Sequence, residues 1–80
     1  MNNEIKCMLD VCAENKTCGC GCDNVIKVLA LKDNIIESSW LPMSSVNADY
    51  LSEFMNEHDA EELGWVIRCK YCQSINNEYY

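Results

Sequence analysis

The hydrophobic positions of the chain group into a few short stretches with different periods. Asn24 to Leu31, "NVIKVLAL", is rich in β-branched residues and interrupted only by Lys27, which predicts a strand. Lys32-Asp33-Asn34 has turn chemistry, and "IIESSW" (Ile35 to Trp40) predicts a second strand, so the two read as a β-hairpin. Leu41-Pro42 is expected to end the pairing, because proline has no N–H to give a central strand. Farther on the period changes. Leu51, Phe54, Met55 and His58 fall at i, i+3, i+4 and i+7, one face of a helix. Asn47 can cap that helix, and Asp49 sits in the first turn, where the helix dipole favours negative charge. Asp59 reads as a second start signal, opening a short turn through Leu63, with Gly64 as its terminator. "WVIRC" (Trp65 to Cys69) then predicts a strand that runs into "CKYC".

The ends of the chain look different. Residues 1–24 carry five cysteines and read as a cysteine-rich N-terminal loop, while residues 73–80, "QSINNEYY", are polar and read as a flexible tail. The expected fold is therefore a small single α+β domain, residues 1–80. Its core, residues 25–72, holds a β-hairpin, one main helix and a C-terminal strand.

Length and composition change this picture in one respect. Eighty residues bury a modest core, and such chains often need a disulfide, a metal or a partner to supplement roughly 3–5 kcal/mol of net stability. Seven cysteines offer the means. The N-terminus, "MNNEIKCMLDVC", has no basic region followed by an apolar run and a small-residue cleavage site, and no stretch is apolar enough to span a bilayer. A reducing cytoplasm is the expected compartment, where clustered cysteines mean metal or redox chemistry more often than structural disulfides. The odd number of cysteines also sits poorly with a closed disulfide framework, which is the alternative.

Two clusters carry the candidate chemistry. Cys69-Lys70-Tyr71-Cys72 is a C-x-x-C at a predicted strand end, where a tight turn can aim both sulfurs at one ion. "TCGCGC" (Thr17 to Cys22) offers the other half, its glycines permitting backbone conformations that let close sulfurs converge. Cys20 and Cys22 are the expected partners of Cys69 and Cys72 in a first zinc site, with Cys18 as a competitor. Cys7, Cys12, Cys18 and His58 would complete a possible second site, giving one or two zinc ions. An iron–sulfur cluster is the alternative cofactor, although the usual ferredoxin spacings are missing. Plainer readings exist for the second set. Cys7 and Cys12 lie among Ile5, Met8, Leu9 and Val11 and can serve as small buried residues, and His58 can serve as a core histidine. Through CGC and CKYC the chain resembles zinc-ribbon or zinc-knuckle proteins in a generic way. The separation of the two half-sites is long for a compact ribbon, which an inserted hairpin and helix would explain.

Charge bears on function. Six basic residues face thirteen acidic ones, for a formal charge of −7, which disfavours direct nucleic-acid binding. From Leu41 to Ile67 there is no lysine or arginine, while Asp49, Glu53, Glu57, Asp59, Glu61 and Glu62 fall in that span. An acidic face is in most proteins simply solvated. The sharper expectation is a surface for a basic protein partner. No catalytic motif stands out, so the expectation is a non-enzyme. The leading reading is a zinc-stabilised protein-interaction module that regulates or inhibits another protein, in one version by mimicking nucleic acid. The alternatives are a zinc-ribbon nucleic-acid-binding or transcription-associated module using Lys27, Lys32, Arg68 and Lys70, and an iron–sulfur or thiol redox and metal-handling protein.

Overall fold

The computed structural model describes residues 2–80 and shows a small α+β domain: one antiparallel sheet with two helices. Helix α1 is Asn3–Glu14, strands β1, β2 and β3 are Asn24–Leu31, Ile36–Glu37 and Leu41–Pro42, helix α2 is Ala48–Glu57, and strands β4 and β5 are Glu62–Cys69 and Ile75–Tyr79.

The centre of the sheet is the long β1/β4 pair. It runs in unbroken antiparallel register from Asn24↔Cys69 to Leu31↔Glu62. Every second residue of both strands faces the helices. Ile26, Val28 and Ala30 on β1 and Leu63 and Ile67 on β4 meet Ile5, Met8 and Cys12 of α1 and Leu51, Phe54 and Met55 of α2 in one core. The predicted helix is present, with Asn47 Oδ1 accepting the Tyr50 N–H at 2.8 Å. His58 is its C-terminal cap and packs edge-on against Phe54, with ring centroids 4.8 Å apart.

Five expectations need correction. The N-terminal segment is not a loop. Asn2 Oδ1 accepts the Glu4 N–H at 2.7 Å and starts a helix whose Ile5, Met8 and Cys12, at i, i+3 and i+7, enter the core. The second strand is split. Ser38 N–H donates to the Val28 carbonyl, while Ser38 Oγ accepts the Val28 N–H, both at 2.9 Å, so a side chain takes a ladder position and only Ile36–Glu37 pair regularly. Leu41-Pro42 then resumes pairing with Val25 and Ile26 instead of ending it, as proline can on an edge strand. Gly64 terminates no helix. It lies inside β4, where a Cβ would sit 2.5 Å from the Tyr79 carbonyl oxygen. Last, the tail is not free, since residues 75–79 form the outer strand β5 on β4, with Trp65 and Tyr79 stacked 5.0 Å apart.

No helix of the described residues is long and apolar enough to cross a membrane.

Candidate metal centre

The end of the β1/β4 pair at Asn24 and Cys69 carries two turns that face each other. In the first, Cys18 N–H donates to the Cys22 carbonyl and Gly21 N–H to the Cys18 carbonyl, both at 2.8 Å, and a bridge between Thr17 and Asp23 closes the base. Gly21 has φ +88°, a conformation that residues with a Cβ rarely adopt. In the second, Cys69 N–H donates to the Ser74 carbonyl and Gln73 N–H to the Cys69 carbonyl, each at 3.0 Å, and Cys72 N–H points at Cys69 Sγ at 3.3 Å. The two turns are tied together where Lys70 N–H donates to the Asp23 carbonyl at 3.0 Å.

This geometry gathers the sulfurs of Cys18, Cys20, Cys69 and Cys72, all within 4.8 Å of one another. Cys18 Sγ lies 3.9 Å from Cys72 Sγ and Cys20 Sγ lies 3.5 Å from Cys69 Sγ. Zn–S bonds of about 2.3 Å in a tetrahedron would place sulfurs about 3.8 Å apart. The set is therefore close enough to hold a metal ion.

Three of the four expected ligands are in this group, and Cys18 occupies the place expected for Cys22. The turn explains the exchange. Cys22 is on its returning arm, where its carbonyl takes the Cys18 N–H, so the outgoing residues Cys18 and Cys20 present their sulfurs. The second expected site does not assemble. Among the described residues, Cys7, Cys12 and His58 join no group of three or more possible ligands. Cys7 is on the solvent side of α1, Cys12 faces the core, and His58 packs on Phe54.

The thiols are not equivalent. Backbone N–H donation lowers the Cys18 thiol, chiefly from Cys20, and the Cys69 thiol, chiefly from Cys72. The hydroxyl of Ser74, 3.4 Å away, and its backbone lower Cys72. Cys20 also receives a backbone N–H, from Cys22, yet the neighbouring sulfurs of Cys69 and Cys18 push it up to about 12. With the sulfurs this close, a charge on one disfavours a charge on the next. A bound cation would offset that repulsion.

Two asparagines escaped the sequence reading. Asn24, the one buried polar side chain among the described residues, donates to the Asn15 carbonyl at the end of α1 and accepts from Asn76 Nδ2 on β5, both at 2.8 Å. Asn76 Oδ1 in turn lies 3.7 Å from Cys18 Sγ. A polar chain thus links the first helix, the central strand, the edge strand and one sulfur. Its sequence signal was an asparagine opening an otherwise apolar strand.

The six acidic residues expected at a partner surface, Asp49, Glu53, Glu57, Asp59, Glu61 and Glu62, are all exposed. Asp59, Glu61 and Glu62 line a shallow cavity at the Leu31 end of β1, together with Asp33 and Lys32. Lys32 reaches Asp59 at 3.5 Å. That end lies about 24 Å along β1 from the sulfurs, at roughly 3.4 Å per residue.

Comparison with protein-family models, with curated proteins and with solved structures finds no match to this chain.

Proposed function

We propose that the protein is a zinc-stabilised interaction module whose metal centre closes the fold and whose acidic end binds a basic partner protein, as a regulator or inhibitor. The observation that carries the first half is the compact four-sulfur set. A multi-iron cluster places several irons and inorganic sulfide between its cysteine sulfurs, whereas a set no wider than 4.8 Å suits a single ion. Zinc is the ion that structural four-cysteine sites most often hold in a closed tetrahedron. Cys69 is fully buried and Cys18 half-buried, while Cys20 and Cys72 lie at the surface of the two turns.

The second half is supported by the separation of charge along β1. Asp59, Glu61 and Glu62 line one cavity where α2 returns to β4, Glu57 ends α2 just before them in the chain, and Lys32 is the single basic residue lining that cavity. Opposite-sign surfaces steer association and set partner choice. A groove that ordinarily holds nucleic acid would meet such a surface, which is the decoy version of the proposal.

The test uses immobilised, metal-loaded protein and a triple charge reversal, Glu57→Lys, Glu61→Lys and Glu62→Lys. The proposal expects a stoichiometric basic partner that the variant releases and that nucleic acid competes away. Retention of the same partner by the variant would reject the acidic end as the contact surface, and binding that nucleic acid does not compete away would reject the decoy version.

A further inference from the structure

The basic residues are as unevenly placed as the acidic ones. Lys6 pairs with Asp10 at 3.2 Å, Lys27 with Glu37 at 3.5 Å and Lys32 with Asp59 at 3.5 Å. Lys16, Arg68 and Lys70 have no salt bridge among the described residues, and all three lie at the sulfur end of the sheet. Lys16 and Lys70 also line a cavity of about 690 Å³ between α1 and the β3 edge. That is within the roughly 300–1,000 Å³ typical of ligand sites. Its walls are Leu9 of α1 and Trp40, Pro42 and Met43 of the edge segment. Behind the wall, the Arg68 guanidinium sits 4.1 Å from the Trp40 ring centroid and the Lys27 ammonium 5.0 Å from it. Stacked in this way, Arg68 and Lys27 brace the indole, and Arg68, which has no salt bridge among the described residues, adds positive potential behind it. Asp23 lines the groove as well, so with Lys16 and Lys70 the lining carries a net positive charge beside an apolar slot, in a chain of charge −7.

We propose that this groove docks an acidic peptide segment bearing one bulky apolar side chain. The apolar side chain fills the slot between Leu9, Trp40, Pro42 and Met43, and flanking carboxylates meet Lys16 and Lys70. Met43 is suited to such a slot, because its unbranched side chain adapts to the shape of its guest. A peptide fits better than single-stranded nucleic acid on three counts. The walls are mainly aliphatic, with Trp40 as the one aromatic lining residue. That ring already engages two cations. A polyanion would also meet the repulsion of the whole acidic chain, whereas a segment with a few carboxylates meets far less. The site is separate from the acidic end and stands whether or not that end binds a partner.

The test is an amide and indole NMR titration of the uniformly labelled, metal-loaded protein. The probes are the capped peptides EDLFED, EDAAED and KRLFKR and a short oligothymidylate. EDLFED should shift the Trp40 indole and the Lys16, Met43 and Lys70 amides saturably, with a Kd below about 1 mM. EDAAED and KRLFKR should bind at least about tenfold more weakly, as should EDLFED to the Lys16→Glu, Lys70→Glu variant. Both lysines are exposed, and the spectrum of the variant itself reports whether the fold is kept. If the double reversal loses the fold, the separate Lys16→Gln and Lys70→Gln variants should each weaken EDLFED binding. The proposal is overturned if EDLFED gives no saturable shift, if EDAAED or the lysine variants bind equally well, or if oligothymidylate moves the same resonances at equal or lower concentration.

Discussion

Exchanging one sulfur at a time separates the ligand set seen here from the one that spacing alone suggested. Cys18→Ser removes a thiolate 3.9 Å from Cys72 Sγ, while Cys22→Ser alters a half-buried side chain outside the four-sulfur set and leaves its backbone contacts in place. Structural zinc binding is worth roughly 10–16 kcal/mol at neutral pH, so an even share is about 2.5–4 kcal/mol per thiolate, a fall of about 10²–10³-fold in affinity. Because such binding is folding free energy, the metal-loaded Cys18→Ser protein should lose a similar amount of stability. For a domain this small, that is most of the roughly 3–5 kcal/mol its core supplies. Cys22→Ser should cost less than about 1 kcal/mol. Chelator competition gives the affinity and urea unfolding of the same samples gives the stability. Equal losses in the two variants, or a Cys18→Ser protein with wild-type affinity, would show that the turn presents its sulfurs differently.

Other elements make their own predictions. Gly64→Ala places a Cβ 2.5 Å from the Tyr79 carbonyl oxygen and 3.1 Å from Leu31, so it should cost about 1–3 kcal/mol by displacing β5, read as a lowered urea midpoint. Asn47→Ala removes the cap of α2 and should cost about 1 kcal/mol, visible in the same assay. Burial pushes the Cys12 thiol from 9.0 up to about 11, so the folded protein holds that proton longer than the unfolded chain does. Stability should therefore fall as pH rises from about 9 to 11, by up to about 3 kcal/mol from this group, and the Cys12→Ala variant should lack that part of the slope. Unfolding curves at several alkaline pH values would show a parallel slope in both proteins if the thiol were in fact solvated.

The parts of the molecule that could be read in the sequence are those governed by one local rule. β1 and β4 follow from their β-branched runs, and α2 from its cap and its i, i+3, i+4 spacing. α1 has the same helical spacing in Ile5, Met8 and Cys12, but its cysteines fit a ligand role and a core role equally well in the sequence. β5 is polar because it is an outer strand. Its order comes from pairing with β4 and from Asn77 accepting the Trp65 indole N–H at 2.8 Å, neither of which the segment itself announces. At the candidate site, both sulfurs of the C-x-x-C converge with two from the other turn, as its spacing at a strand end suggests. The choice among Cys18, Cys20 and Cys22 depends on which arm of the turn donates and which accepts, and residue spacing does not carry that information. The polar chain of Asn24 and Asn76 joins residues 52 apart and exists only once the sheet has formed.

The central claim is that four cysteines, from the two ends of the chain, bind one metal ion. Native mass spectrometry with elemental analysis of protein purified under reducing conditions, followed by alkylation mapping, tests it most directly. The account predicts one zinc per chain, with Cys18, Cys20, Cys69 and Cys72 protected until chelator is added while exposed Cys7 is modified at once. A metal-free chain with those four cysteines freely alkylated, or masses showing them paired as disulfides, would contradict it.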